Sequence, residues 1–139
     1  MGRIVAIDYG SKRVGLAVTD PLQIIATPLD TVHSKDVIAV LQDIEAKDGI
    51  DAFVVGMPKN LQNLDTDATN QVRHFINLLK KRFPEKKIHA HDERFTSKMA
   101  LQALITGGMK KKDRRNKANV DKVSAAIILQ SYLESTSSL

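Results

Sequence analysis

Asp8 closes a wholly apolar run, Ile4-Val5-Ala6-Ile7. A carboxylate ending a buried strand is costly to desolvate unless a cation or hydrogen-bond donors meet it. It therefore either caps the turn that follows or serves a site, and Gly10 and Gly15 would let backbone approach it closely. A second acidic position ends the stretch Ile88-His89-Ala90-His91-Asp92-Glu93-Arg94. Strand alternation puts Asp92 with Ile88 and Ala90, and Glu93 with His89 and His91, so either acid could turn toward Asp8 if the strands are neighbours. Asp121 is the most informative. On a helix it shares a face with Ser124, Ala125, Ile128, Leu129 and Tyr132, which makes it the head of a core-facing stripe. The plain alternative is an acid in a first helical turn that complements the helix dipole.

Three acids at the ends of separate elements suit a hard divalent cation. Mg²⁺ takes carboxylate oxygens, keeps several waters and so needs few protein ligands. Two such ions about 4 Å apart can clamp the attacking and leaving oxygens of a phosphodiester. The charge pattern points the same way. Net charge is +5, from 21 Lys and Arg against 16 Asp and Glu. Residues 107–119 hold six cations (Lys110, Lys111, Lys112, Arg114, Arg115, Lys117) and the single anion Asp113, so the whole excess sits there. Such a run is either a solvated loop or a phosphate-binding one that displaces counterions. His89-x-His91 also has zinc-ligand types on one strand face, although a strand His pair more often packs or hydrogen-bonds.

The elements that must position these residues follow from periodicity. Residues 3–9 read as a buried strand, Val14 to Thr19 as a second, and Ile24 to Val32 as a weaker third interrupted by Pro28, together an antiparallel meander. Ser34 is the expected N-cap of a helix to Lys47, stopped by Gly49. A short strand from Asp51 to Gly56 precedes a loop over 57–66. A helix from about Thr66 to Arg82 ends before Pro84, and Lys87 to Asp92 is a strand. Thr96 or Ser97 caps a helix through Ile105, and Asn119 caps a last one from Val120 to Leu133, leaving 134–139 as a frayed tail. The order β-β-β-α-β-α-β-α-α predicts one α/β domain over 1–139, with a mixed sheet and its site at carboxyl ends of strands.

Composition removes several classes. At 139 residues with 42% hydrophobic and 27% charged content, the chain is of ordinary globular make-up. Without cysteine, disulfides, thiolate metal sites and thiol catalysis are excluded. The longest uncharged stretch near the C-terminus, Val123 to Leu133, falls far short of a membrane span, and Asp8 comes too early for a signal-peptide core. A soluble cytoplasmic protein is expected, with no membrane partner. Two Tyr, four Phe and no Trp argue against an aromatic platform for single strands.

Four motifs recur in order: Asp8-Tyr9-Gly10-Ser11-Lys12-Arg13-Val14-Gly15-Leu16-Ala17, Gly56-Met57-Pro58-Lys59-Asn60, Asp92-Glu93-Arg94-Phe95-Thr96-Ser97, and Val120-Asp121 followed by Ala125 to Leu133. Spanning residues 3–133, the set resembles the YqgF (RuvX-like) family of Holliday-junction resolvases, also described as nucleases of pre-16S ribosomal RNA. Asn63 departs from the pattern, standing where the family usually has glycine; Asn tolerates the left-handed conformation.

The resemblance implies an RNase H-like fold, a mixed five-stranded sheet with helices on both faces. It implies Asp8, Glu93 and Asp121 as catalytic, metal-holding acids, with Asp92 as the alternative ligand, for a two-metal site of Mg²⁺ or Mn²⁺. The expected activity is hydrolysis of phosphodiesters in structured RNA or branched DNA, either pre-16S ribosomal RNA 5′-end processing or Holliday-junction resolution, by a monomer or homodimer. Lys12, Arg13, Arg94 and the cations from Lys110 to Lys117 would meet phosphates by shape more than by sequence. The competing reading is a non-catalytic nucleic-acid or ribosome-associated module. A third reading is that Asp8 to Gly15 resembles the phosphate loop of actin-like and sugar-kinase folds, but those need two such domains.

Overall fold

The computed structural model describes residues 2–57, 67–92 and 117–136. Five strands, β1 (Arg3–Tyr9), β2 (Arg13–Thr19), β3 (Ala26–His33), β4 (Ile50–Met57) and β5 (Lys87–Asp92), form one sheet in the order β3-β2-β1-β4-β5. β1, β2 and β3 pair antiparallel, as the meander predicts, while β4 and β5 add in parallel beside β1. Among the described residues three helices accompany it: α1 (Val37–Lys47), α2 (Asp67–Arg82) and α3 (Lys117–Thr136).

The central strands are apolar on both faces because both faces are covered. Val5 and Ile7 of β1, Leu16 of β2 and Phe53 and Val55 of β4 pack with Val37 and Leu41 of α1 and Val72, Phe75 and Leu79 of α2. Ile4, Ala6, Ala17 and Val54 point the other way, against Ala125, Ile128 and Leu129 of α3. Small residues on that face let α3 lie close to the sheet. Each fully buried aliphatic side chain contributes about 1.5–3 kcal/mol, and Val5, Ile7, Leu16, Val54, Ile128 and Leu129 all qualify.

Several element ends differ from the sequence reading, each for a local reason. Ser34 does not cap α1. Its hydroxyl donates to the Ser11 carbonyl and its N–H to that of Lys12, tying it to the β1–β2 turn. The N-cap is Asp36, without a side-chain cap bond. Ile24 and Ile25 do not join β3, because their N–H groups donate to Asp20 Oδ1 at 2.9 and 2.8 Å. Asn119 lies inside α3, which starts at Lys117 and runs to Thr136, past Leu133. Gln130 donates to Glu134 and the Ser135 hydroxyl to the Tyr132 carbonyl in those last turns. The expected helix capped at Thr96 or Ser97 lies outside the described residues, as does Asn63.

Candidate active site

Asp8 is the penultimate residue of β1, at the carboxyl end of the strand, and half-buried. Its parity is that of Ile4 and Ala6, so it faces the α3 side of the sheet. Tyr9, of opposite parity, stacks on Phe75 of α2 with ring centroids 4.4 Å apart, which pins the strand end from the other face. The turn that follows is tight. A Cβ on Gly10 would stand 2.6 Å from the Arg13 carbonyl oxygen.

The partner of Asp8 across the β1–β2 ladder is Gly15. A Cβ there would strike the Asp121 carbonyl group and come within 3.0 Å of the Lys122 nitrogen. The backbone of α3 at Asp121 therefore lies directly on the Asp8–Gly15 rung, and only glycine permits the approach. This single contact brings the first and last candidate acids to one place. Arg13, which has the parity of Gly15 and faces α3, donates from Nε to Asp121 Oδ2 at 2.7 Å. The side chains are 46% and 23% exposed respectively. Ser124, one turn after Asp121, is buried, and its hydroxyl has no partner among the described residues.

The other candidates divide. Lys12 is exposed beside Arg13 in the same turn. Asp92 ends β5 opposite Met57, and Lys117 opens α3. Glu93, Arg94, Lys110, Lys111, Lys112, Arg114 and Arg115 lie outside the described residues. Among the described residues no three His, Asp or Glu side chains gather as a metal-holding group. His89 and His91, the zinc candidates, join β5 to α3 instead. His89 packs on Tyr132 at 5.1 Å between centroids, and His91 Nε2 lies 2.9 Å from Ser131 Oγ. The Arg13–Asp121 pair is the feature the sequence reading missed. The spacing of Arg13 and Gly15 sets both on one strand face, but nothing local in the sequence points from there to Asp121.

The chain matches, over residues 2–135, the profile of the family described as RuvX: Holliday junction resolvase. It belongs to the RuvX family. One relative in Amoebophilus asiaticus is 56% identical over 135 residues, covering 97% of this chain and 96% of its own. Another in Bacteroides thetaiotaomicron is 47% identical over 135 residues, covering 97% and 98%. Both carry the name "Putative pre-16S rRNA nuclease". Among solved structures, Thermus thermophilus RuvC in complex with a Holliday junction substrate is similar with a TM-score of 0.61 and 17% identity, over 99% of this chain and 97% of that one. A second RuvC structure gives a TM-score of 0.54 at 14% identity, over 97% and 96%. These likenesses establish for this RuvX-family chain the RNase H-like fold that its motifs imply.

Proposed function

We propose that this chain is a metal-dependent endonuclease, a single RNase H-like domain that hydrolyses phosphodiester bonds of structured nucleic acid. The observation that carries the reading is the seating of α3 on Gly15, which gathers Asp8 and Asp121 at one end of the sheet. Membership of the RuvX family and the nuclease names of relatives near half identity support it. Those names favour pre-16S ribosomal RNA as substrate, and the 5′ end is the processing site this reading assigns. Holliday-junction DNA is the second reading, favoured by the family description. Junction resolution would call for two copies of the chain, RNA end processing for one.

The residues suit a hard divalent cation. Two carboxylates supply oxygen donors, and Asp121 already holds a cation in the Arg13 guanidinium. Asp8, Asp121 and Glu93, with Asp92 as the alternative, are the residues that would hold Mg²⁺ or Mn²⁺. Such an ion neutralises developing phosphate charge and lowers the pKa of a bound water. The protein's own part is positional. The β1–β2 ladder and the α3 backbone fix the carboxylates before substrate arrives. Lys12 and Arg13 present cations at the lip of the site. Arg94 and the six cations from Lys110 to Lys117 hold flanking phosphates.

The test is a cleavage panel of pre-16S RNA fragments and four-way DNA junctions with Mg²⁺ or Mn²⁺. Asp8→Asn and Asp121→Asn should each lower cleavage by about 100-fold or more while retaining binding, since even outer-shell partners of metal ligands are worth 10–100-fold. Cleavage at the wild-type rate in both variants, or none of either substrate with either ion, would defeat the reading.

A further inference from the structure

Arg13 and Asp121 are 108 positions apart, yet they make a side-chain bond inside the candidate site. Three features set it apart from an ordinary surface pair. Its acceptor is one of the acids gathered at the Asp8–Gly15 rung. Its donor is the inner Nε, so among the described residues the terminal guanidinium nitrogens are left as a fork of the shape that suits phosphate. And Arg13 is the more exposed partner, at 46% against 23%, so the arginine rather than the aspartate has room to leave.

From this we propose that Arg13 is a built-in counter-cation of Asp121, displaced to a substrate phosphate when a divalent ion takes the carboxylate. The inference rests on the reading of Asp121 as a metal ligand. A lone carboxylate beside Asp8 would suffer like-charge repulsion in the metal-free protein. The guanidinium relieves it and holds the Asp121 side chain in place. The same contact makes arginine and metal compete for one oxygen. A nucleic-acid phosphate offers Arg13 another acceptor, so substrate and metal should each favour the other's binding, reciprocally. Arg13 is thus a positioning residue that makes metal loading depend on the presence of substrate.

Mn²⁺ titrations of the full chain by calorimetry, without nucleic acid, test this. The partly exposed pair is screened by water, so Arg13→Gln should tighten Mn²⁺ by about two- to fivefold. Arg13→Lys should restore near wild-type affinity, and in an Asp121→Asn background Arg13→Gln should change nothing. A readout on the unaltered protein guards against a misfolded variant: Mg²⁺ should shift the Arg13 Nε–H resonance with the same midpoint as metal binding. Mn²⁺ affinity equal or weaker in a folded Arg13→Gln variant, or an Nε–H signal unmoved at saturating Mg²⁺, overturns the proposal while leaving the metal site standing. Absence of Mn²⁺ binding in both wild type and variant overturns it together with the reading on which it rests.

Discussion

Gly15 carries more consequence than any charged residue in the candidate site, because it decides whether the acids meet at all. Gly15→Ala would drive a methyl group into the α3 backbone at Asp121. Backbone cannot yield as the tip of a flexible side chain does. The variant should lose about 1–3 kcal/mol, the usual cost of overpacking, read as a lower urea midpoint, and cleavage should fall with it. An unchanged midpoint would mean that α3 shifts freely. At this scale much was legible beforehand. Asp8 stood out because a charge ended an apolar strand, and Asp121 because helical spacing aligned it with Ser124, Ala125, Ile128 and Leu129, all of which are buried. The Arg13–Asp121 bond was not legible. It depends on where α3 lands on β2, and no local periodicity encodes a contact between such distant segments.

At the scale of elements, strands were read more accurately than their ends. β1 has the bounds the apolar pattern suggests, since burial on both faces leaves little choice, and the edge strand β5 also has its expected bounds although its residues are only partly covered. Ends are decided by single side chains that compete for backbone groups. Ser34 is spent on the β1–β2 turn, and Asp20 takes the amides of Leu22, Ile24 and Ile25. The Ile25 N–H, then that of Ile24, hold the Asp20 carboxyl below its usual value of 3.8. A group whose folded pKa is depressed stabilises above its unfolded pKa and loses that contribution as pH falls through the folded one. Asp20→Ala should therefore lower the urea midpoint near neutral pH, and the gap from wild type should close below the ordinary carboxylate range. A gap that persists in acid would show that the loop is held by something other than the ionised carboxylate.

Over the whole molecule, the excess positive charge is concentrated in one stretch while the remaining charges balance. Replacing Lys110, Lys111, Lys112, Arg114 and Arg115 by Ala should weaken binding and flatten its dependence on salt, by up to about 0.9 in slope for each phosphate that is no longer neutralised. Binding measured across a salt series checks this, and an unaltered slope would remove the stretch from the interface. Among the described residues the two layers of apolar packing lie in the sheet, α1, α2 and α3, and the replacement should leave that packing intact.

The outer margin of β3 has its own bearing on assembly. Leu29 on β3 and Leu22, Ile24 and Ile25 in the loop that leads into it are exposed aliphatic residues, of the kind that would invite another chain to dock along the sheet. Pro28 offers no N–H, and the register slips between Leu16 and Ala17 where β2 meets it. Those two irregularities make that margin a poor template for an incoming strand. The protein can thus display greasy side chains at its rim without seeding fibrillar growth.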